Sequence, residues 1–384
     1  MFNGENPLFL GESMKRPDTI KIAHLTSAHP YTDIRIFHKQ CVSLSKQGYA
    51  VYLVATNCAS QVLNGVNVVG VQRKGKGRFS RMFNTTRDVY RKALELDADI
   101  YHFHDPELLP FGLKLARRGK IVIYDAHEDL PKQIMDKHWI PKFLRGFISN
   151  IFRLYEGYVA KRIAGVVSVN QPICDRFSKH NSHVVQIANY PLMDELVTMG
   201  RATTIPGQVC YVGGLSPTRG IREMVNAMEA TDARLVLAGN FVPPGFEEEL
   251  RKLKGWVRVD FRGYIDRNEI IHILASSELG LVTLHPTRSY VEALPIKLFE
   301  YMSAGIPVIA SDFPLWREII EDAKCGICVN PMDPSAIAKG IQLILSDKEV
   351  AREMGENGQK AFREKYNWSI EEQKLFTFYT KLLN

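Results

Sequence analysis

The sequence predicts an α/β protein built from two doubly wound domains that face each other across a cleft. Three observations carry this expectation. Short apolar runs rich in β-branched residues alternate with helix-length segments from one end of the chain to the other, the pattern of parallel strands covered on both faces. The series occurs twice, with a polar join containing Pro and Gly between the two sets. At 384 residues the chain is too long for one ordinary core and suits two domains.

Residues 1–18 carry no periodic signal and read as an extension. The first domain is expected over 19–190, with strands at Ile20–Leu25, Val51–Ala55, Ile100–Phe103, Ile121–Tyr124 and Val166–Val169. After Val184-Val185-Gln186-Ile187 come Ala188-Asn189-Tyr190-Pro191 and a polar stretch ending Thr203-Thr204-Ile205-Pro206-Gly207, so a linker is expected over 191–207. The second domain is expected over 208–367, with strands at Val209–Val212, Arg234–Ala238, Val257–Phe261, Leu279–Thr283, Pro307–Ala310 and Gly326–Val329. The segment 368–384 is amphipathic and reads as a helix able to pack back across the first domain.

Composition narrows the function classes. The chain is 45% hydrophobic and has no uninterrupted apolar run of the roughly 18 residues that a membrane span needs. Its net charge of +7 is unevenly placed: residues 1–190 hold 27 Lys and Arg against 16 Asp and Glu, whereas the rest is slightly acidic. The halves are therefore expected to meet different partners. The start, Met1 to Pro7, lacks the basic residues and apolar run of a secretory signal, so reduced thiols and a cytoplasmic setting are expected. Cys325-Gly-Ile-Cys328 has metal-site spacing, but no second pair accompanies it, and it reads as a buried strand. Asp97-Ala-Asp99 precedes its strand instead of ending it, and reads as a surface turn.

In open α/β sheets, ligands bind beyond the carboxyl ends of the strands, where free N–H groups and helix dipoles offer positive potential. Six loops stand out there. Tyr211-Val-Gly213-Gly214-Leu-Ser-Pro-Thr-Arg219 ends a strand in two glycines and a basic residue at about the start of a helix, which suits close approach of a phosphate or is simply a turn. Ala238-Gly239-Asn240 and Phe261-Arg262-Gly263-Tyr264 follow the next strands. In the first half, Tyr101-His102-Phe-His104-Asp105 and Tyr124-Asp125-Ala-His127-Glu128 crowd histidines and carboxylates at strand ends, where proton sharing and plain burial are both open readings. After the first strand, His29 and the run Asp33-Ile-Arg35 fit either an acceptor contact or, for Asp33 with Arg35, a local helix-capping pair.

The longest motif is Glu292-Ala293-Leu294-Pro295-Ile-Lys297-Leu-Phe-Glu300, continued by Tyr301-Met-Ser-Ala-Gly305-Ile-Pro307-Val-Ile-Ala-Ser-Asp312. Pro295 fits the first turn of a helix, with Glu292 in the loop before it and Glu300 inside it. This run resembles the donor-binding segment of glycosyltransferase family 4, a bacterial, retaining family with the GT-B fold of two Rossmann-like domains. The resemblance covers roughly residues 20–384. It implies transfer of a hexosyl or N-acetylhexosaminyl group from a nucleotide-sugar, UDP-linked by expectation, to an acceptor hydroxyl with the α configuration kept. No metal and no other cofactor are implied.

The resemblance assigns His127 and Glu292 to the donor sugar and Glu300 to the ribose. It assigns Gly213, Gly214, Arg219, Gly239, Gly263, Tyr264, Ala293, Leu294, Pro295 and Lys297 to the rest of the donor. His29, Asp33, Arg35 and His104 are the acceptor-side candidates. The family carries an arginine where this chain has Gly214, so Arg219, alone or with Lys297, is expected to hold the diphosphate. A UDP-sugar 2-epimerase on the same fold and an inactive sugar-nucleotide or membrane-binding scaffold are the rival readings.

Residues 73–92 contain eight Lys or Arg and one acid among Phe79, Phe83 and Tyr90, and residues 139–162 add Lys142, Arg145, Arg153, Lys161 and Arg162 among Phe143, Phe147, Ile148, Ile151, Phe152, Leu154, Tyr155 and Tyr158. Such stretches suit an anionic membrane surface, the favoured reading, with a solvated cationic face bearing core-facing aromatics, and then nucleic acid, as the alternatives. The expected partners are the nucleotide-sugar, a lipid-linked or oligosaccharide acceptor and the inner face of the cytoplasmic membrane, without nucleic acid.

Overall fold

The computed structural model describes residues 20–72, 81–137, 140–193 and 204–384. The expected extension at 1–18, residues 73–80 of the first basic stretch, Trp139 and positions 194–203 of the expected linker lie outside the described residues.

Fourteen strands form two sheets among the described residues: β1 (Lys21–Leu25), β2 (Ala50–Thr56), β3 (Gln61–Leu63), β4 (Val66–Val71), β5 (Ile100–Phe103), β6 (Ile121–Ala126), β7 (Gly165–Ser168) and β8 (Val184–Gln186) in the first, and β9 (Gln208–Val212), β10 (Arg234–Ala238), β11 (Val259–Phe261), β12 (Leu279–Val282), β13 (Val308–Ser311) and β14 (Gly326–Val329) in the second. The first sheet runs β3-β4-β2-β1-β5-β6-β7-β8 and the second β11-β10-β9-β12-β13-β14. All neighbours are parallel except β3 and β4. The expected fold class of two doubly wound α/β units is what the chain adopts. Continuous burial along β5, β7, β12 and β13 explains their unbroken apolar sequences, since both faces carry helices.

Several features depart from the reading of the sequence, among them β8, which was not one of the expected strands. The β3–β4 hairpin was not expected. Its two-residue turn is Asn64-Gly65, both with positive φ (50° and 78°), the conformation that Asn-Gly adopts readily in a tight hairpin. The strand expected from Val257 begins at Val259, because Lys254–Arg258 form a 3₁₀ turn first. Asp97, in the left-handed region at φ 44°, ends the helix Thr86–Leu96 and pairs with Lys120, a turn as read.

Strand order reverses direction on either side of β1 in the first sheet and of β9 in the second, which puts crevices beyond β1/β5 and β9/β12. These crevices place the loops 26–33 and 104–107 on one wall and 213–220 and 283–295 on the other.

The C-terminal helix Trp368–Leu383 lies against the first sheet. Trp368, Leu375, Phe378 and Tyr379 share one apolar core with Ile22, Phe37, Leu53 and Ile100. Trp368 Nε1 donates to Ser43 Oγ (2.8 Å), and Glu371 accepts the Ala188 N–H (2.7 Å). Leu375→Ala is therefore expected to lower stability by about 2–5 kcal/mol, read as a lower urea midpoint; an unchanged midpoint would show that the helix is not part of this core.

Candidate active site

The second-domain wall is built on the turn after β9. Gly213 has φ 141°, and Gly239, at the same φ, packs so closely that a Cβ there would sit 1.9 Å from the Gly213 carbonyl oxygen. Two backbone bonds fix the stack: Gly213 N–H donates to Ala238 (2.8 Å) and Gly239 N–H to Gly263 (2.7 Å). Only glycine fits this geometry at 213 and 239 without strain.

Two cations converge on the turn. The Lys297 side chain occupies the space a Gly213 Cβ would need, with Cε and Nζ 2.6 Å from that point, and its ammonium lies 5.2 Å from the centre of the Tyr211 ring. Arg219 closes the 3₁₀ turn Pro217–Arg219 beside Gly214 and bonds to the Tyr211 and Tyr290 phenols. The helix expected at about Arg219 begins at Ile221, after Gly220. Among the described residues, neither cation has a carboxylate within ion-pairing distance. Burial, and then the charge of Arg219, push Lys297 down to about 8 despite the opposing influence of Glu300.

Glu300 lies in the helix Ile296–Ala304, one turn beyond Lys297, and accepts a 2.7 Å bond from Arg267. Pro295 stands at the cap of this helix, one position ahead of the expected first turn. Ala293 is pinned by Trp316 Nε1, which donates to its carbonyl (2.7 Å), and Ala293 and Leu294 line the cleft with Glu292. Gly263 has φ 66° and open space around it, and Tyr264 beside it is 80% exposed, so its ring is not a packing element.

Glu292 reaches across the cleft. Lys132 of the first domain donates to its carboxylate, and Asn170 Nδ2 donates to its carbonyl (3.2 Å). The cavity there, about 280 Å³, is lined by His127, Glu128 and Lys132 from one wall and Arg288, Tyr290 and Glu292 from the other. A second interdomain cavity of about 670 Å³ shares Asn170, Glu292 and Leu294 and continues to Tyr190 and Tyr366.

On the first-domain wall, Asp105 is almost fully buried and accepts from Thr26 Oγ1 (2.9 Å) and the Ser27 and Ala28 N–H groups (2.6 and 3.2 Å). Its other oxygen meets His29 Nδ1 at 2.9 Å. Burial works against the Asp105 charge, but His29 and these donors outweigh it and hold the group at about 2. The same bond raises His29, which stands edge-on to His127 with ring centres 5.2 Å apart. Burial lowers His127, favouring the neutral imidazole in the cleft wall.

Three acceptor-side expectations change. Asp33 caps the helical segment that starts at Ile34, accepting from Ile36 N–H (2.9 Å), but Arg35 is not its partner. Arg35 is buried and grips Asp125 with two 2.9 Å bonds, donating a third to the Ile187 carbonyl (3.0 Å), so three of its five N–H groups are engaged inside the fold, although it also lines the cleft cavity. His104 is also buried, bonded to His24 and Asp125, and has no surface to offer an acceptor.

Among the described residues, two groups have metal-capable side chains close together, His24 with His102 and His104, and His104 with Asp125 and His127. The first already carries a 2.9 Å bond between two of its members, and Arg35 on Asp125 sets a positive charge beside the second. Cys325 and Cys328 flank and join β14, and burial raises both thiols to about 12, in keeping with a packed strand.

Known proteins match both halves. Residues 35–189 match the model described as Glycosyltransferase Family 4, and residues 202–361 match that described as Glycosyl transferases group 1. An uncharacterized glycosyltransferase of Methanocaldococcus jannaschii is 30% identical over 165 residues, and the match spans 42% of this chain and 41% of that relative. A phosphatidyl-myo-inositol mannosyltransferase of Mycobacterium leprae is 25% identical over 314 residues, covering 76% of this chain and 75% of the relative. In three dimensions, Anabaena HepE, solved with UDP and glucose, superposes with a TM-score of 0.71 at 16% identity, covering 94% of this chain and all of that one, a likeness of fold. The chain is a glycosyltransferase with the two Rossmann-like domains of the GT-B fold, its first half matching the Family 4 model and its second half the group 1 model.

Proposed function

We propose that the protein transfers a sugar, with retention of configuration, from a nucleoside diphosphate sugar to an acceptor hydroxyl. The observation that carries this reading is the pair of cations, Arg219 and Lys297, set around the Gly213–Gly214 turn with no carboxylate within ion-pairing distance among the described residues. A diphosphate supplies the missing charge. As the sugar departs, negative charge grows on that diphosphate, and two fixed cations in a partly dry site stabilise it more than the ground state.

The remaining residues fit around such a donor. Glu300 has one oxygen on Arg267 and one left to accept from a ribose hydroxyl. Glu292 and His127 face the sugar position from opposite walls, and the sugar hydroxyls share Glu292 with Lys132. The exposed Tyr264 and Gly263 flank the base. UDP is the favoured nucleotide, supported by the UDP bound in the HepE structure.

The acceptor is a lipid-linked or growing surface glycan, and the first domain meets an anionic membrane surface. Support comes from the helix Lys142–Ala160, where Phe143, Phe147, Ile151 and Leu154 are 83, 66, 50 and 63% exposed at helical spacing instead of facing the core. Lys142, Arg145 and Arg153 stand on the same helix, and Met82 and Phe83 are exposed ahead of the helix Thr86–Leu96. Among the described residues no helix is long and apolar enough to cross a membrane. The M. leprae relative is named for a lipid acceptor, which agrees with this surface.

Glu292→Gln is expected to reduce transfer at least about a hundredfold while UDP still protects the protein against thermal unfolding. Full transfer by the variant would remove Glu292 from the mechanism. In flotation, the protein is expected to rise with phosphatidylglycerol-containing vesicles at low salt, and Phe143→Ser with Phe147→Ser to stay at the bottom; a wild-type protein that never floats would refute the membrane surface.

A further inference from the structure

The larger interdomain cavity, about 670 Å³, falls within the range of about 300–1,000 Å³ typical of small-molecule sites. It adjoins the smaller one, and Asn170, Glu292 and Leu294 line both. The first domain contributes Asn170, Gln171, Pro172 and Gln186. The opposite wall is the helix Pro314–Ala323, which turns Leu315, Glu318, Ile319 and Asp322 to the cavity, the i, i+3, i+4 and i+7 positions of a single helical stripe. Tyr190 and Tyr366 also line it, their rings edge-on with centres 5.5 Å apart.

The hydrogen bonds already made define what the cavity can recognise. Gln171 Nε2 donates to Asp175 (2.6 Å) and Gln186 Nε2 to the Val169 carbonyl (3.5 Å), and each leaves its Oε1 without a partner among the described residues. Glu318 is exposed and has no hydrogen bond or ion pair among the described residues. Asp322 accepts from Lys365 (2.7 Å), and Glu292 from Lys132. The spare side-chain groups on these residues are therefore acceptors, and no Lys, Arg or His among the described residues lines the cavity. A ligand has to bring O–H or N–H donors without negative charge, because a phosphate or carboxylate offers acceptors and a like charge. It also has to cover Val291, Leu294, Leu315 and Ile319, which alternate with the polar groups. Sugar rings meet both demands, with hydroxyls at the rim and C–H groups on the faces.

We propose that this cavity is a carbohydrate subsite for uncharged sugar units of the acceptor, those that follow the unit presenting the reacting hydroxyl. Assigning these units to the acceptor rests on the reading of Glu292 as facing the donor sugar; binding of a neutral sugar chain in the cavity does not. The acceptor hydroxyl has to meet the donor sugar beside Glu292, and the lining shared through Asn170, Glu292 and Leu294 lets the same chain run on into the larger space. There its hydroxyls donate to Gln171, Gln186 and Glu318, and its ring faces cover Leu315 and Tyr366. The site thus limits the substrate class: any anionic group of the acceptor, a lipid phosphate included, lies beyond the neutral units and outside the cavity. Because each domain supplies one wall, a bound chain also favours the domain arrangement in which the cavity exists.

The test uses full-length protein with UDP present and saturation-transfer NMR of a probe panel. The probes are neutral oligosaccharides of hexose and N-acetylhexosamine units, the same oligosaccharides carrying a phosphate or a uronic acid, and spermine. Neutral members are expected to receive saturation, and the acidic counterparts and spermine to receive none. Leu315→Trp, which fills the cavity, is expected to weaken the neutral binder at least about tenfold, and Glu318→Lys to admit the acidic counterparts, while UDP protects both variants against thermal unfolding as it does the wild type. Glu318 is exposed, so its variant carries the comparison if Leu315→Trp does not fold. A panel without a neutral binder, acidic probes or spermine bound as well as neutral ones, or neutral binding undiminished by Leu315→Trp would overturn the proposal. Failure of UDP to protect the wild type would strike the donor reading instead, and spectra recorded with sugar alone would still judge the cavity through the same variants.

Discussion

The structure of the second domain turns on two like charges held together with no ion-paired carboxylate among the described residues. Arg219 and Lys297 meet at a turn of two glycines, and burial and mutual repulsion push Lys297 from 10.5 to about 8, a shift that corresponds to roughly 3 kcal/mol against charging it. Folding tolerates this because the surrounding scaffold fixes both side chains. Gly213 leaves room for the Lys297 stem, Gly239 locks the turn against β10, and the Tyr211 and Tyr290 phenols orient the guanidinium. A site preorganised in this way is at its least favourable when empty and improves when a polyanion arrives, the arrangement expected where binding energy is to be expressed on a leaving diphosphate.

The first domain has the opposite electrostatic character at its wall. Asp105 and Asp125 are both buried and ionised, and each is surrounded by donors: His29 and the 26–28 turn for one, Arg35, Gln40 and His104 for the other. Such carboxylates are costly to strand, so the residues that bond them are constrained as tightly as the acids. This is why Arg35 and His104, which resemble surface recognition groups in the sequence, are interior supports. The two walls meet through Lys132 and Glu292 and through Asn170 and the Glu292 carbonyl, so Glu292 is also where the domains touch.

Much of this was legible in the sequence because it is local. A strand followed by Gly213-Gly214, the run from Glu292 to Glu300, and the amphipathic final segment each announce their geometry within a dozen residues. The charged face of the first half was visible as composition, but the outward orientation of Phe143 and Phe147 was not, because aromatics on a helix serve a core equally well. The β3–β4 hairpin escaped notice since β3 is only three residues long and β4 mixes Asn and Gly with valine, although Asn64-Gly65 was the signal. What stayed illegible is long-range pairing. Lys132 meets Glu292 across 160 positions, Arg35 meets Asp125 across 90, and Tyr379 meets His102 across 277. No spacing rule encodes such partners; the topology alone brings them together.

Proton uptake on ligand binding tests the cation pair most directly. Lys297 is mostly neutral in the free protein at about pH 9, one unit above its lowered value, and a diphosphate beside it restores the charge by raising that value. Calorimetry of UDP binding in buffers of different ionisation enthalpy is therefore predicted to show uptake of about one proton at this pH, lost in Lys297→Met and absent when uridine replaces UDP. UDP binding with no proton taken up by the wild-type protein would contradict the assignment of Arg219 and Lys297 to the diphosphate.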